Sequence, residues 1–125
     1  MLAPGDDVPV YIWTSPMDMR CGFDRLAQFI HDRMGRQVLS GGVYVFLSRG
    51  RDRVKLMWWD RDGYAVYYKR LEAGTFKVEW NDGSEELTGV DLKLLLSGMD
   101  LKRIKLRKNV ERGLYSSGDC ITTNM

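Results

Sequence analysis

The alternation of apolar and polar residues divides the chain into short strands and two helices. Residues 8–14 are rich in β-branched and aromatic side chains and are followed by Ser15-Pro16, which predicts a first strand. From Phe23 onward, apolar residues recur at spacings of three, four and seven, which predicts a helix lying on the sheet. Gly35 suits the left-handed position just past the end of that helix.

The middle of the chain predicts paired strands. Val43–Leu47 is apolar at every position after a break at Gly41-Gly42, which is typical of a central strand covered on both faces. Residues 51–59 and 64–70 flank the turn 60–63, in which Asp-Gly supplies left-handed turn geometry, so they predict a β-hairpin.

The last part of the chain predicts a fifth strand and a second helix. The strand is expected at residues 75–80, before another turn signature. Thr88 and Asp91 have the spacing of a capping box, and leucines continue from there as a short helix. The order β-α-β-β-β-β-α predicts a single α+β domain with a mainly antiparallel sheet over residues 1–108 and a flexible tail over residues 109–125.

Composition narrows the class of protein. With 125 residues, 44% of them hydrophobic, the chain is long enough for one globular domain. Two distant cysteines, Cys21 and Cys120, predict a reducing compartment, and we find neither a signal peptide nor a membrane span, so a cytoplasmic protein is expected. With His31 as the single histidine and no zinc spacing, we expect neither a metal nor a cofactor.

The net charge is only +2, so the placement of the charges matters more than their sum. On the first hairpin strand the cations recur at every second residue and therefore share one face, with Val54, Leu56 and Trp58 on the other. These cations are Arg49, Arg51, Arg53 and Lys55.

The length of the hairpin loop decides what faces this basic row. An even loop places Arg53 opposite Arg70 and Lys55 opposite Tyr68, with Trp59 opposite Tyr64, whereas an odd loop breaks this register. Like charges directly across a ladder repel each other unless an anion lies between them. The row is either a platform for nucleic acid, with phosphates on the cations and rings for stacking, or a solvated outer face.

Two further charged segments follow the hairpin. Five cations within seven residues carry no acid among them: Lys102, Arg103, Lys105, Arg107 and Lys108. Five acids lie within residues 79–91 with no base among them. The basic run could bind phosphates, pair with the acidic segment or bind another protein, and its alternation with Ile104 and Leu106 suggests an edge strand or a tail that orders on contact.

Catalytic patterns are weak. Asp18 and Arg20 flank Met19 after the first strand, where a loop ion pair or a helix cap explains them more simply than a general acid–base pair. Gly41-Gly42 lacks the Gly-Lys-Ser/Thr that completes a phosphate-binding loop. The sequence therefore predicts a protein that is not an enzyme.

Three stretches resemble motifs of one family. Residues 15–27 are similar to its Pro-Val-Asp-Met-Arg-Lys-Gly-Phe-Asp-Gly-Leu-Ala motif, and residues 94–101 to its Leu-Leu-x-Gly-Ile-Asp helix end. Residues 49–76 resemble its Arg-Arg-Asp-Arg-Leu-Lys-Leu-Leu-Tyr-Trp-Asp hairpin and the following Trp-Tyr-Lys-Arg-Leu-Glu-x-Gly-x-Phe. The family is the small TnpB accessory protein, the product of the second open reading frame of bacterial insertion sequences of family sixty-six, and the resemblance spans about residues 8–108.

The resemblance implies a cytoplasmic accessory factor of DNA transposition that works beside a separate transposase and has no activity of its own. The sequence departs from the family at Cys21, where Lys is frequent, and at Arg61, where Gly or Asn is common. Because Cys21 removes a charge, the first motif is a weaker candidate for a phosphate site.

The leading hypothesis is a non-catalytic, DNA-binding accessory protein with DNA and the transposase as partners. The candidate DNA contacts are Arg49, Arg51, Arg53, Lys55, Lys69 and Arg70 on the hairpin and Lys102, Arg103, Lys105, Arg107 and Lys108 after it. The rival is a module that docks on the transposase or on itself through exposed aromatics, Trp13, Trp59 and Tyr67. The third is an enzyme centred on Asp18 and Arg20.

Overall fold

The computed structural model describes residues 7–111, with side chains up to residue 106. Five strands and three helices, with one short 3-10 helix, confirm the predicted α+β class and the mainly antiparallel sheet. The strands are β1 Val10–Trp13, β2 Val43–Leu47, β3 Arg53–Asp60, β4 Gly63–Arg70 and β5 Ser84–Leu87. The helices are α1 Phe23–Met34, α2 Gly89–Leu96 and α3 Leu101–Glu111, and Val38–Ser40 forms the 3-10 turn. None of the described helices is long and apolar enough to cross a membrane.

The sheet has the strand order β4-β3-β2-β1-β5. β1 and β2 are parallel, because α1 carries the chain back between them, and every other neighbouring pair is antiparallel. The N-terminal strand therefore lies inside the sheet, and β4 and β5 form its edges.

Both faces of the sheet are covered. Leu26 and Ile30 of α1 pack with Trp13, Phe46 and Met57 on one face, which we call the α1 face. The other face, which we call the helix-pair face, carries Val45 and Leu56 under α2, α3 and the segment 71–80. β2 is third of the five strands and all of its residues are buried, which confirms it as the central strand.

The hairpin has the predicted even register. Arg53 pairs with Arg70, Lys55 with Tyr68 and Trp59 with Tyr64. The source of the left-handed turn is different from the prediction: Arg61 has a φ of 60°, whereas Gly63 does not take a positive φ. Asp62 donates its N–H to the Asp60 carbonyl at 2.6 Å, which tightens the turn around Arg61.

The prediction of a strand at residues 75–80 is wrong. This segment has no ladder, although Phe76 and Val78 are buried on the helix-pair face as a strand pattern requires. Alternation reports which side chains face the core and not whether the backbone has a neighbouring strand. The fifth strand is Ser84–Leu87, whose acidic residues pair with β1 along the sheet edge.

The capping box of α2 is confirmed, since Thr88 accepts from the Asp91 N–H at 3.2 Å and Asp91 accepts from the Thr88 N–H at 2.9 Å. The basic run after it is neither an edge strand nor a tail: it belongs to a third helix, α3, capped by Asp100, which accepts from the Lys102 N–H at 2.8 Å. Leu101 and Ile104 anchor this helix in the core. α3 also contains residues 109–111, and the rest of the predicted tail lies outside the described residues.

Gly42 is required by both conformation and space. Its φ is 94°, and a Cβ at this position would lie 2.9 Å from Cε2 of Tyr11.

We expect Gly42→Ala to lower the free energy of unfolding by about 1 to 3 kcal/mol, because backbone strain and overpacking add. Urea denaturation measures this loss in the free energy of unfolding. Gly63→Ala is the matched control, because Gly63 has no positive φ and a Cβ there would have nothing within 4 Å, so it should lose no stability. Equal losses in the two variants would contradict the explanation.

Candidate nucleic-acid interface

A groove of about 410 Å³ opens where two loops meet at one end of the sheet. One loop leads from β1 into α1, and the other is the turn between β2 and β3. A hydrogen bond of 2.9 Å from the Met17 N–H to the Leu47 carbonyl joins them. We call this feature the arginine groove; it is lined by Met17, Asp18, Met19, Arg20, Ser48, Arg49, Gly50, Asp52 and Arg53.

The turn between β2 and β3 is held by Ser48. Its hydroxyl donates to Asp52 at 3.1 Å and accepts from the Arg53 N–H at 3.1 Å, while the Arg51 N–H donates to the Ser48 carbonyl at 2.9 Å. Arg51 takes a φ of 59° in this turn. The strand therefore begins only at Arg53, and alternation of the basic row does not extend back to Arg49 and Arg51.

Lys55 fixes the other loop to the sheet. Its ammonium donates to the Cys21 carbonyl at 2.7 Å and lies 5.0 Å from the centre of the Tyr68 ring. The residue is only 8% exposed. Lys55 is on the predicted face, but it closes the entry to α1 and is covered, so it presents little charge to a ligand.

Asp18 and Arg20 form the loop ion pair. The guanidinium donates from Nε to Oδ1 at 3.0 Å and from Nη2 to Oδ2 at 2.8 Å, and the Arg20 N–H adds a third bond of 2.9 Å. These hydrogen bonds lower the pKa of Asp18 to about 2. A carboxylate with so low a pKa is a poor proton carrier near neutral pH, so the pair positions the loop and gives little support to an enzyme.

The cations of β3 and β4 at the groove lack full compensation. Arg53 and Arg70 face each other across the ladder, and Arg70 reaches Glu72 at 3.1 Å. Within residues 7–106, neither Arg49 nor Arg53 makes an ion pair. Like charges at directly opposed positions of a ladder are unfavourable unless an anion lies between them. The arrangement therefore favours an anionic ligand.

Other hairpin cations lie away from this site. Arg51 donates to the Val78 carbonyl at 3.2 Å and lies 5.2 Å from the Trp80 ring, so it holds the segment 71–80 against the sheet. Lys69 is exposed and pairs in register with Val54, which places it on the helix-pair face. The structure thus places Arg49 and Arg53 in the groove, with Arg70 paired opposite Arg53 on β4, and separates them from the other hairpin cations.

The basic run of α3 lies across the sheet from the arginine groove. Leu101 and Ile104 pack on the helix-pair face, with Lys102 and Arg103 exposed beside them. Lys105 forms a short ion pair with Glu85, which is the pairing of basic and acidic segments that the sequence left open. The side chains of Arg107 and Lys108 lie outside the described residues.

The aromatic interface candidates are less accessible than predicted. Trp13 is 7% exposed and meets Phe29 edge to face at 5.0 Å, so the expectation that it is exposed is wrong. Trp59 is half-buried, with its indole N–H bonded to the Arg61 carbonyl at 3.1 Å. Tyr67 is half-buried against the core of the helix-pair face.

A second cavity, of about 530 Å³, lies beside the starts of β1 and β2. Arg36 stacks there on Tyr11, with its guanidinium carbon 3.8 Å from the ring centre. None of the candidate DNA contacts lines this second cavity. Across residues 7–106, no cluster of three or more Asp, Glu, His or Cys residues could hold a metal ion.

Comparison with known proteins agrees with the family that the sequence motifs indicate. The family model described as IS66 Orf2 like protein matches residues 8–106. The chain belongs to the IS66 Orf2-like family, accessory proteins of insertion sequences. This confirms the resemblance found in the sequence.

Two relatives come from Sinorhizobium fredii strain NBRC 101917 / NGR234. The uncharacterized protein y4hO is 36% identical over 101 residues, which cover 80% of this chain and 88% of the relative. The uncharacterized protein y4jC is 29% identical over 113 residues, covering 90% and 96%. No solved structure matches the chain significantly.

The structure accounts for both departures from the IS66 Orf2-like pattern. Arg61 occupies a left-handed position, which is the conformation that Gly and Asn adopt at least cost. Cys21 contributes its backbone carbonyl to Lys55, and any side chain can supply that atom. Its half-buried thiol is free, and Cys120 lies outside the described residues.

Arg20 and Ser48 were not assigned to a common site in the sequence. They are 28 positions apart, and each follows a strand of the parallel pair. The signal that could have found them is the position of both motifs just after β1 and β2, because parallel strands end at the same edge of a sheet. That reasoning needs the parallel pairing, which the order of elements alone does not prove.

Adjacent cations on β3 should differ in their effect on stability. We expect Lys55→Met to lower the free energy of unfolding by about 1 to 3 kcal/mol, because the Cys21 carbonyl loses a charged donor. Arg53→Met should change it by less than about 0.5 kcal/mol, since its charge is unpaired and opposes Arg70. Urea denaturation of both variants tests this, and a larger loss in Arg53→Met would contradict the assignment.

The Asp18 carboxylate should titrate far below its usual range. Carboxyl carbon NMR shifts over a pH series are expected to give Asp18 a pKa of about 2. Because the folded pKa is lowered, the pair's contribution is present above pH 3.8 and is lost as the pH falls toward 2. In Arg20→Gln the pKa should rise toward 3.8, whereas in the control Arg61→Gln it should stay unchanged. An unchanged pKa in Arg20→Gln would contradict the assignment.

Proposed function

We propose that this IS66 Orf2-like protein is a non-catalytic accessory factor of DNA transposition that binds the DNA backbone through the arginine groove. The single observation that carries the proposal is the position of Arg53, which lines the groove together with Arg49 and pairs in register with Arg70 on the neighbouring strand. Guanidinium groups bind phosphate with paired N–H donors and keep their charge at any working pH. The protein would act on DNA in the cytoplasm, beside the transposase of the same element.

Charge balance in the groove supports an anionic ligand. Arg20 compensates the charge of Asp18 through three side-chain hydrogen bonds, and Asp52 accepts from Ser48. Arg49 and Arg53 then remain without an acidic partner in the described part of the chain. Phosphate oxygens would occupy the region between Arg53 and Arg70 that the ladder otherwise fills with like charge.

Backbone contacts imply weak sequence preference. Phosphate contacts position a protein on DNA and carry no direct information on the bases. The groove is an open depression whose lining residues belong to two loops and the start of β3, so its lining includes no helix that could be inserted into a major groove. Selection of the element's ends would then come mainly from the transposase.

Docking on the transposase without DNA contact has less support. That function would use exposed aromatic anchors. Trp13 is buried in the core, and Trp59 and Tyr67 are half-buried among their neighbours. The exposed cations Lys102 and Arg103 of α3 are a separate, smaller candidate contact for either partner.

Fluorescence anisotropy with labelled duplexes tests the proposal. One duplex carries the element's terminal repeats and one is unrelated, and both are titrated over a salt series from about 50 to 200 mM. If Arg49, Arg53 and Arg70 each neutralise one phosphate, the slope of log affinity against log salt should be about −2.7 for the wild type. The double variant Arg49→Ala with Arg53→Ala should bind more weakly and lose about 1.8 from that slope.

The matched control removes two cations elsewhere. Arg61→Ala with Lys77→Ala deletes the same charge at exposed positions outside the groove and should leave the salt slope unchanged. Equal weakening by both double variants would mean that net charge and not the groove carries binding. No binding of the wild type to either duplex at low salt would overturn the DNA proposal and favour docking on the transposase.

A further inference from the structure

Tyr68 is the exposed aromatic residue beside the paired arginines. It lies on β4, two residues before Arg70 and directly opposite Lys55, so it shares the α1 face with Arg53 and Arg70. About half of its surface, 49%, is exposed. An exposed aromatic ring beside cations is the combination that proteins use to stack the bases of single-stranded nucleic acid while binding its backbone.

The surroundings of Tyr68 leave one side of the ring free. Lys55 lies 5.0 Å from the ring centre on the side of β3. On its other side β4 has no neighbouring strand among the described residues, because it is the edge of the sheet that they form. A flat group can therefore approach the ring from the free edge without displacing a described part of the chain.

The neighbouring ring on the same face, that of Tyr64, is not available for stacking. Tyr64 meets Trp59 edge to face, with ring centres 5.3 Å apart, and is half-buried. The arginines proposed to bind phosphate lie beside Tyr68, whereas the residue paired with Tyr64 is Trp59. The stacking surface is thus confined to the end of the hairpin that carries Arg53 and Arg70.

We propose that Tyr68 stacks on an unpaired base of a DNA strand whose phosphates lie against Arg53 and Arg70. This inference rests on the proposed function, because it keeps the phosphate contacts of the groove and adds a contact beside it that only an unpaired base can make. The strand rise places Tyr68 about 6.6 Å from Arg70 along β4, a distance that one nucleotide bridges between its base and a neighbouring phosphate. In duplex DNA the bases are stacked on each other, so the duplex offers the groove phosphates only.

The test compares three labelled DNAs of equal length at one salt concentration. They are an oligothymidine, an abasic oligomer with the same sugar-phosphate backbone, and a duplex. Wild-type protein should bind the oligothymidine about 5- to 150-fold more tightly than the abasic oligomer, which is the range for stacking of one base on an aromatic ring. Equal affinity for these two single strands would overturn the stacking proposal.

Two substitutions at Tyr68 distinguish the effect of the aromatic ring from the effect of side-chain volume. Tyr68→Leu should lose the advantage of the oligothymidine over the abasic oligomer, whereas Tyr68→Phe should retain it. Binding to the duplex should change little in either variant. Tyr64→Leu, on the same face of the same strand, is the positional control and should keep the advantage, with circular dichroism confirming that each variant is folded.

The arms distinguish failure of this inference from failure of the proposed function. Duplex binding that requires Arg49 and Arg53, together with equal binding of the two single strands, would retain the groove and reject the stacking role of Tyr68. A loss in Tyr68→Leu that is equal for all three DNAs would also reject stacking. Absence of binding to every DNA would overturn both.

Discussion

The hydrogen bond from the Lys55 ammonium to the Cys21 carbonyl is the contact on which the rest of the site depends. It spans 34 positions in sequence and joins the middle of β3 to the entry of α1. The same entry is held by the Asp18–Arg20 pair and by the bond from Met17 to Leu47. Without these ties the loop after β1 would have no fixed position over the sheet, and the groove would have only one wall.

A charge that is buried in this way cannot also serve as a surface contact. A Lys that is 8% exposed gains by having a carbonyl and an aromatic ring as partners, since an unpaired buried ammonium is costly. Arg53 lies two residues earlier on the same face but at the end of the strand, beside the open groove. The basic row is therefore divided by position: its inner member stabilises the fold, and its outer member borders the groove without an ion pair in the described part of the chain.

The sequence predicted those features that depend on neighbours in the chain. The register of β3 and β4 follows from a short even turn, the α2 cap from Thr88 and Asp91, and the burial of β2 from five consecutive apolar residues. The features that it missed depend on contacts between distant segments. Arg51 turns away from the basic row because its guanidinium binds the Val78 carbonyl and lies near the Trp80 ring. The strand Ser84–Leu87 forms because it pairs with β1. The joining of Arg20 with Arg49 likewise requires the parallel pairing of β1 and β2.

The distribution of cations over the two faces limits what one DNA contact can do. Arg53 and Arg70 lie on the α1 face, whereas Lys102 and Arg103 lie beyond the helix-pair face, so a DNA segment bound as proposed would leave α3 available to another partner. About three phosphate contacts give a modest, strongly salt-dependent affinity and no direct reading of sequence. A protein with so small a contact gains specificity only by acting beside a partner that binds the same DNA. That requirement is consistent with the proposed role, in which the partner would supply the selection and the groove would supply an additional hold on the DNA.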